Sequence, residues 1–208
     1  MLQEVREHLA SLNPDFAKCI VNTNSTASLE KLSELLEEEL TDDLVQFYSE
    51  FAGNEGMPLM NFVYGVCFHS AQTCLSEAVS QSETDMDLCT PTYPLEFATP
   101  EIDSRYTFDR SRVEIGSDRG TFLLCADYAP TKHGTFGQII MLDYDTSKAF
   151  VVARSFSELI DQFSKDLEAG RYSFSTPIDP NEYWLDPDPE IDLGNWYISP
   201  SRWSHVPN

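Results

Sequence analysis

Apolar residues along this chain keep a helical spacing in its first third and change to strand spacing from Arg112 onward. Leu2, Val5, Leu9 and Leu12 share one side of a short helix over residues 1–12, which Asn13-Pro14-Asp15 is expected to stop. Asn22 to Ser28 is polar and reads as a loop. Leu29, Leu32, Leu35, Leu36 and Leu40 then form a stripe expected to face the core, with Glu37-Glu38-Glu39 on the wet side. Thr41 is placed as the N-cap of the next helix, with Asp42 and Asp43 in its first turn. Its expected apolar face is Leu44, Val45, Tyr48 and Phe51, and Gly53 supplies the stop. Met57 to Val66 has strand-like composition without clean alternation, and Thr73 to Ser80 is a short amphipathic piece. From Gln81 to Asp109 the chain is polar, acidic and broken by Pro91, Pro94 and Pro100, an irregular excursion with short strands at most.

Strand spacing begins where Val113 and Ile115 alternate with charged neighbours, followed by the turn Asp118-Arg119-Gly120. Thr121 to Ala126 is nearly all apolar, as a strand buried on both faces requires. Gly137 to Asp143 and Ala149 to Arg154 complete the set, joined by Tyr144 to Lys148. Strands with such short connections pair antiparallel, since parallel pairing needs a crossover of about a dozen residues. Ser155-Phe-Ser-Glu158 is a capping box that opens a helix whose buried stripe is Phe156, Leu159, Ile160, Phe163 and Leu167. The fold class expected is α+β: an antiparallel, meander-type sheet with helices packed on it.

Beyond Tyr172 six prolines alternate with Tyr183, Trp184, Trp196, Tyr197 and Trp203, which include every tryptophan of the chain. Disordered tails are poor in aromatic residues. We therefore expect residues 173–208 to form an acidic, Pro- and aromatic-rich strap packed on the domain formed by residues 1–172. Core cover is the expected role of Trp196, and equally of Trp184.

Composition narrows the function classes. The 208 residues carry 13 Lys and Arg against 35 Asp and Glu, a formal charge of −22. That excess disfavours nucleic acid and anionic membranes, whose recognition depends on basic side chains, and it steers a basic partner inward. Five scattered cysteines without a CxxC give neither a disulfide framework nor a zinc ribbon, and reduced thiols are expected. Residues 1–8 alternate in charge and lack an apolar run, so no signal peptide is expected and the protein is placed in the cytoplasm.

Candidate chemistry is sparse. His8, His69, His133 and His205 lie far apart, with no HExxH. The alternation Asp186-x-Asp188-x-Glu190-x-Asp192 lacks the central glycine and distal glutamate of a calcium loop. No Gly-x-Ser-x-Gly elbow and no phosphate loop occur. No catalytic residue, metal site or cofactor is assigned, and the expectation is a protein that is not an enzyme.

The order of elements resembles the SMI1/KNR4 (SUKH) superfamily over about residues 28–172. The segments carrying the likeness are Leu29 to Leu40, Leu40-Thr-Asp-Asp-Leu-Val-Gln-Phe-Tyr, Phe51-Ala-Gly-Asn and Val113 to Asp127. Gly134-x-x-Gly-Gln138 and Val152-Ala-x-Ser-Phe-x-Glu-Leu159 complete them. Thr41 stands where the family usually has Pro, and Gly53-Asn54 reverses its Asn-Gly. The resemblance implies helices on an antiparallel sheet without known catalytic machinery. It also implies an immunity protein of a toxin–antitoxin system, neutralising a cognate toxin that is often a nuclease. The alternative it carries is a regulatory scaffold in cell-wall or signalling control. A protein partner with a basic surface is expected, with no nucleic acid and no membrane. Expected contacts are exposed acids and aromatics at strand ends and turns: Asp118, Asp127, Tyr128, Asp143, Tyr144 and Asp145. The strap adds Trp184, Asp186, Asp188, Glu190 and Asp192 as a second candidate set. The sequence leaves the oligomeric state open, as a monomer or weak dimer.

Overall fold

A computed structural model describes residues 2–21, 25–54, 59–83, 94–175, 182–197 and 202–203. Among them are six helices and a six-stranded sheet. The helices are α1 (Gln3–Leu12), α2 (Pro14–Cys19), α3 (Thr26–Leu36), α4 (Asp42–Glu50), α5 (Ala71–Glu83) and α6 (Phe156–Glu168). The sheet runs β1-β3-β4-β5-β6-β2, built from β1 (Cys67–Phe68), β2 (Phe97–Ala98), β3 (Arg112–Ser117), β4 (Phe122–Asp127), β5 (Gln138–Asp143) and β6 (Lys148–Ala153). A separate pair, β7 (Tyr172–Ser175) and β8 (Trp184–Pro187), is antiparallel.

The meander β3-β4-β5-β6 is the expected one, with each neighbour antiparallel. Its alternation sorts side chains by face. Phe122, Leu124, Ala126, Ile139, Met141, Phe150 and Val152 point into the main core with the helices. Cys125, Ile140, Leu142 and Ala149 point to a smaller core closed by Leu95 and Ile102 from the excursion. Because both faces are covered, β4 and β5 read as continuous apolar runs. The excursion contributes β2, which pairs parallel with β6 and departs from the all-antiparallel expectation.

In the main core α6 lays down the buried stripe read from its sequence. Ser155 Oγ accepts from the amide of Glu158 (3.1 Å), while a Glu158 carboxylate oxygen accepts from the amide of Arg154 (2.6 Å). A third cap comes from outside the helix, as Asp43 Oδ2 accepts from the amide of Ser157 (2.8 Å). Thr41 does occupy the N-cap position of α4, with extended backbone and no side-chain cap bond. Phe47 joins the helices through rings at 4.4 Å to Phe156 and 5.5 Å to Phe68.

Four expectations change. Asn13-Pro14 does not end the helical region but starts α2, since Asn13 Oδ1 accepts from the amide of Asp15 (2.9 Å) and proline suits the first helical position. The leucine stripe from Leu29 is cut short: Glu37 turns left-handed (φ 57°), and Leu35 is exposed. On α4 the core takes Leu44, Phe47 and Tyr48, leaving Val45 outside. The Met57–Val66 stretch, of which 57 and 58 lie outside the described residues, is no strand. It contains a 3-10 turn at Val63–Gly65 with left-handed Tyr64 (φ 53°) and Gly65 (φ 85°).

The C-terminal segment enters the core. Asn61 clamps it by accepting from the amide of Leu185 (2.8 Å) and donating to its carbonyl (3.0 Å). Leu185, Ile191, Leu193, Trp196 and Trp203 are buried among the helices and sheet. Cys19, Cys67, Cys74 and Cys125 are buried free thiols, and Cys89 lies outside the described residues.

Candidate functional site

The turns β3–β4 and β5–β6 emerge at the same end of the sheet, because Phe122 and Asp143 are register partners. Asp118 Oδ1 accepts from the amides of Gly120 (2.9 Å), Thr121 (2.8 Å) and Phe122 (3.1 Å). This is the Asx-type local bonding that makes aspartate a turn former. In the second turn Asp143 Oδ1 accepts from the amide of Thr146 (2.9 Å). Tyr144 ties the two together, its hydroxyl donating to the carbonyl of Gly120. Asp145 stands exposed at the tip.

The strap supplies the third piece of this end. Asp192 opens the 3-10 turn Leu193–Asn195 by accepting from the amide of Gly194 (2.9 Å) and from Asn195 Nδ2 (2.5 Å). Burial raises its carboxyl above the ordinary range, and the charges of Asp186 and Asp118 raise it further. The Tyr144 phenol is likewise raised, by burial first and then by Asp118 and Asp145. The acids of the two turns and Asp192 of the strap make this end of the sheet acidic. Beside it Lys148 lies over the Trp196 ring (5.3 Å), and Arg119 donates to Cys67 Sγ (3.1 Å).

Of the expected contact residues, the two turns bring together Asp118, Asp143, Tyr144 and Asp145, while Asp186 and Asp192 belong to the strap. Tyr144 is 36% exposed. Trp184 is 38% exposed on the outside of β8. Trp196 is core, as its expected cover role required. Asp188 and Glu190 face a different neighbour: Asp188 Oδ1 accepts from the Glu190 amide (2.9 Å), and Glu190 pairs with Arg171 (3.1 Å).

Three expected surface residues are not on the surface. Asp143 is buried within its turn. Asp127 and Tyr128 lie at the opposite end of β4, five residues from Phe122, or about 17 Å. Asp127 is fully buried and Tyr128 nearly so. A buried carboxylate requires donors, and Asp127 has them: Gln138 Nε2 (3.0 Å) and the Ala129 amide (3.2 Å). Arg112 Nε stands 4.0 Å from its Oδ1. Desolvation nonetheless raises the Asp127 carboxyl, with Arg112 opposing. Arg112 itself donates to the carbonyls of Asp103 (2.6 Å), Tyr106 (2.7 Å) and Thr107 (3.3 Å), fastening the excursion to the sheet. Since Arg112, Asp127 and Gln138 are cross-strand partners, this is a structural brace.

A second polar hub escaped sequence reasoning. Tyr64 donates its hydroxyl to Asp166 Oδ2 (2.8 Å), and Arg202 grips the same carboxylate. The one signal for it was an acidic residue at a buried position of α6. His69 and Glu114 meet at 2.7 Å, both largely buried across β1 and β3. Among the described residues no three His, Cys, Asp or Glu side chains converge as metal ligands. No helix there is long and apolar enough to cross a membrane.

With this geometry established, the sequence can be set against known proteins. The model of the SMI1 / KNR4 family (SUKH-1) matches residues 23–162, about two thirds of the chain. The chain belongs to the SMI1/KNR4 family. No curated protein matches the sequence. The SMI1/KNR4 segment runs from α3 into the first half of α6 and includes Asp118, Tyr144 and Asp145. Helices α1 and α2, the β7–β8 pair and Asp186 and Asp192 fall outside it.

Proposed function

We propose that this SMI1/KNR4 protein is a non-enzymatic binding protein of the immunity type, which neutralises a basic toxin domain by covering its working surface. The observation that supports it is the acidic end of the sheet, where Asp118 and Asp145 flank the partly exposed Tyr144 in two turns tied by its bond to Gly120, with Asp186 and Asp192 on the strap. An excess of acids on one surface favours a cationic partner. A nuclease toxin presents such a surface, because it must bind phosphate through Lys and Arg. Tyrosine within an acidic rim suits the centre of such an interface, as aromatic anchors carry much of the binding energy. Inhibition then needs no chemistry from this chain, only occupation and electrostatic fit.

The test is co-expression with candidate basic toxin domains from the same genome. Cells carrying both are expected to grow, while cells carrying the toxin with Asp145→Lys, Asp186→Lys and Tyr144→Ala together lose protection. Full protection by that triple variant would reject the acidic end as the inhibitory surface.

A further inference from the structure

A second surface, sharing no residue with the acidic end, lies between α3 and α4. It is an open groove of about 500 Å³. Its floor is Leu29 and Leu40, and its apolar lip is Val45, 40% exposed. Glu30, Glu34 and Glu39 stand along its edges, and none of the ten lining residues is Lys or Arg. Among the described residues these three carboxylates have no ion-pair or side-chain hydrogen-bond partner. The remaining lining residues of α3 sit at helical spacing with Leu29, so one continuous face of this helix looks into the groove.

We infer that this groove docks an amphipathic, basic helical segment of a partner protein. An apolar floor between carboxylate edges matches a helix with one apolar stripe flanked by Lys or Arg. The helix α3, eleven residues long, spans about 16 Å, room for three turns of a partner helix beside it. Charge selects among occupants. A second copy of this chain, at −22, brings like charge to three unpaired glutamates, and nucleic acid does the same. Val45 explains why the groove is left open: the inward face of α4 is already filled by Leu44, Phe47 and Tyr48.

The probe is a synthetic peptide of roughly 15 residues, about four helical turns, with leucines on one face and lysines on both flanks. A control of identical composition scatters the leucines around the helix. Titration by fluorescence anisotropy is expected to show the amphipathic peptide binding about tenfold tighter than the control, a difference of about 1.4 kcal/mol. Val45→Gln combined with Glu34→Gln should weaken it about tenfold, whereas Glu168→Gln on the exposed end of α6 should change it less than about twofold. All are exposed positions, where substitutions rarely unfold a protein. Glu30→Gln with Glu34→Gln, which leaves the apolar lip intact, should weaken it about threefold and abolish part of the salt dependence. Equal affinity for the two peptides overturns the inference, as does a groove variant that binds like the parent. Because the two surfaces share no residue, this result and the toxin test can fail independently.

Discussion

Arg202 holds Asp166 in a two-point grip, with Nη1 2.5 Å from Oδ2 and Nη2 2.8 Å from Oδ1. The guanidinium also lies over the rings of Tyr64 (5.4 Å) and Trp203 (5.9 Å). Asp166 is buried on α6, so without Arg202 its charge keeps, among the described residues, Tyr64 and a distant Arg171 at 3.9 Å. Breaking a buried pair from one side costs more than the pair contributes. Arg202→Ala is therefore expected to destabilise by about 2–3 kcal/mol, lowering Tm by roughly 5–10 °C. Arg105→Ala, which removes an exposed pair with Asp103, should leave Tm almost unchanged. Similar losses from the two in thermal melts would contradict the hub.

Asp43 joins α4 to the start of α6 by capping Ser157. Removing one cap acceptor exposes an orphan amide, and Asp43→Ala should cost about 1 kcal/mol. Asp43→Asn, which keeps an acceptor, should cost less than half of that. Urea unfolding midpoints of the two variants distinguish the cap from a general effect of lost charge.

Gly137 and Gly170 are both left-handed, at φ 75° and 70°, but in different surroundings. A Cβ on Gly137 would stand 2.5 Å from Thr41 Cγ2, whereas one on Gly170 meets nothing within 4 Å. Gly170→Ala should therefore cost only the backbone term, about 1–2 kcal/mol, and Gly137→Ala at least about 1 kcal/mol more. Thr41→Ser removes the clashing methyl, so the double variant Gly137→Ala/Thr41→Ser should recover part of that excess.

The carboxyls of Asp192 and Asp127 are raised by burial, which sets the sign of their pH dependence. With a folded pKa above the unfolded one, the native state holds protons that the unfolded state has lost. Their contribution to stability is full below the unfolded value and falls as pH rises through the folded one. Asp103 and Glu158 are lowered, chiefly by Arg105 and Arg154, and lose their contribution only as the pH drops through their depressed values. Stability should accordingly rise as the pH falls from neutrality into the range where these raised carboxyls take up protons, before acid unfolding begins. Asp192→Asn should flatten that rise in a pH series of melts; an unchanged slope would remove Asp192 from its cause.

Elements whose signal is local were legible in the sequence. The runs of β4 and β5 are apolar because both sheet faces are covered, and Ser155 with Glu158 announces α6 directly. What stayed hidden depends on partners distant in the chain. Nothing near Asp127 shows that Gln138 and Arg112 flank it, so an acid at a strand end reads as exposed. Tyr64 turns left-handed in a stretch of strand-like composition, and its hydroxyl bonds Asp166, 102 residues away. Asn13-Pro14 is ambiguous in itself, since the pair that ends α1 also opens α2. The acidic end was legible as single residues, while the meeting of its two turns required the register of β4 and β5.

The most direct test of the toxin-binding reading is the affinity for candidate basic toxin domains from the same genome at low and high salt, for the parent and for Asp145→Lys/Asp186→Lys. We expect parent binding to fall by at least about tenfold from 50 to 500 mM salt (roughly), with the variant weaker at low salt and nearly flat across the range. Tight binding that neither salt nor the charge reversals alters would contradict the account.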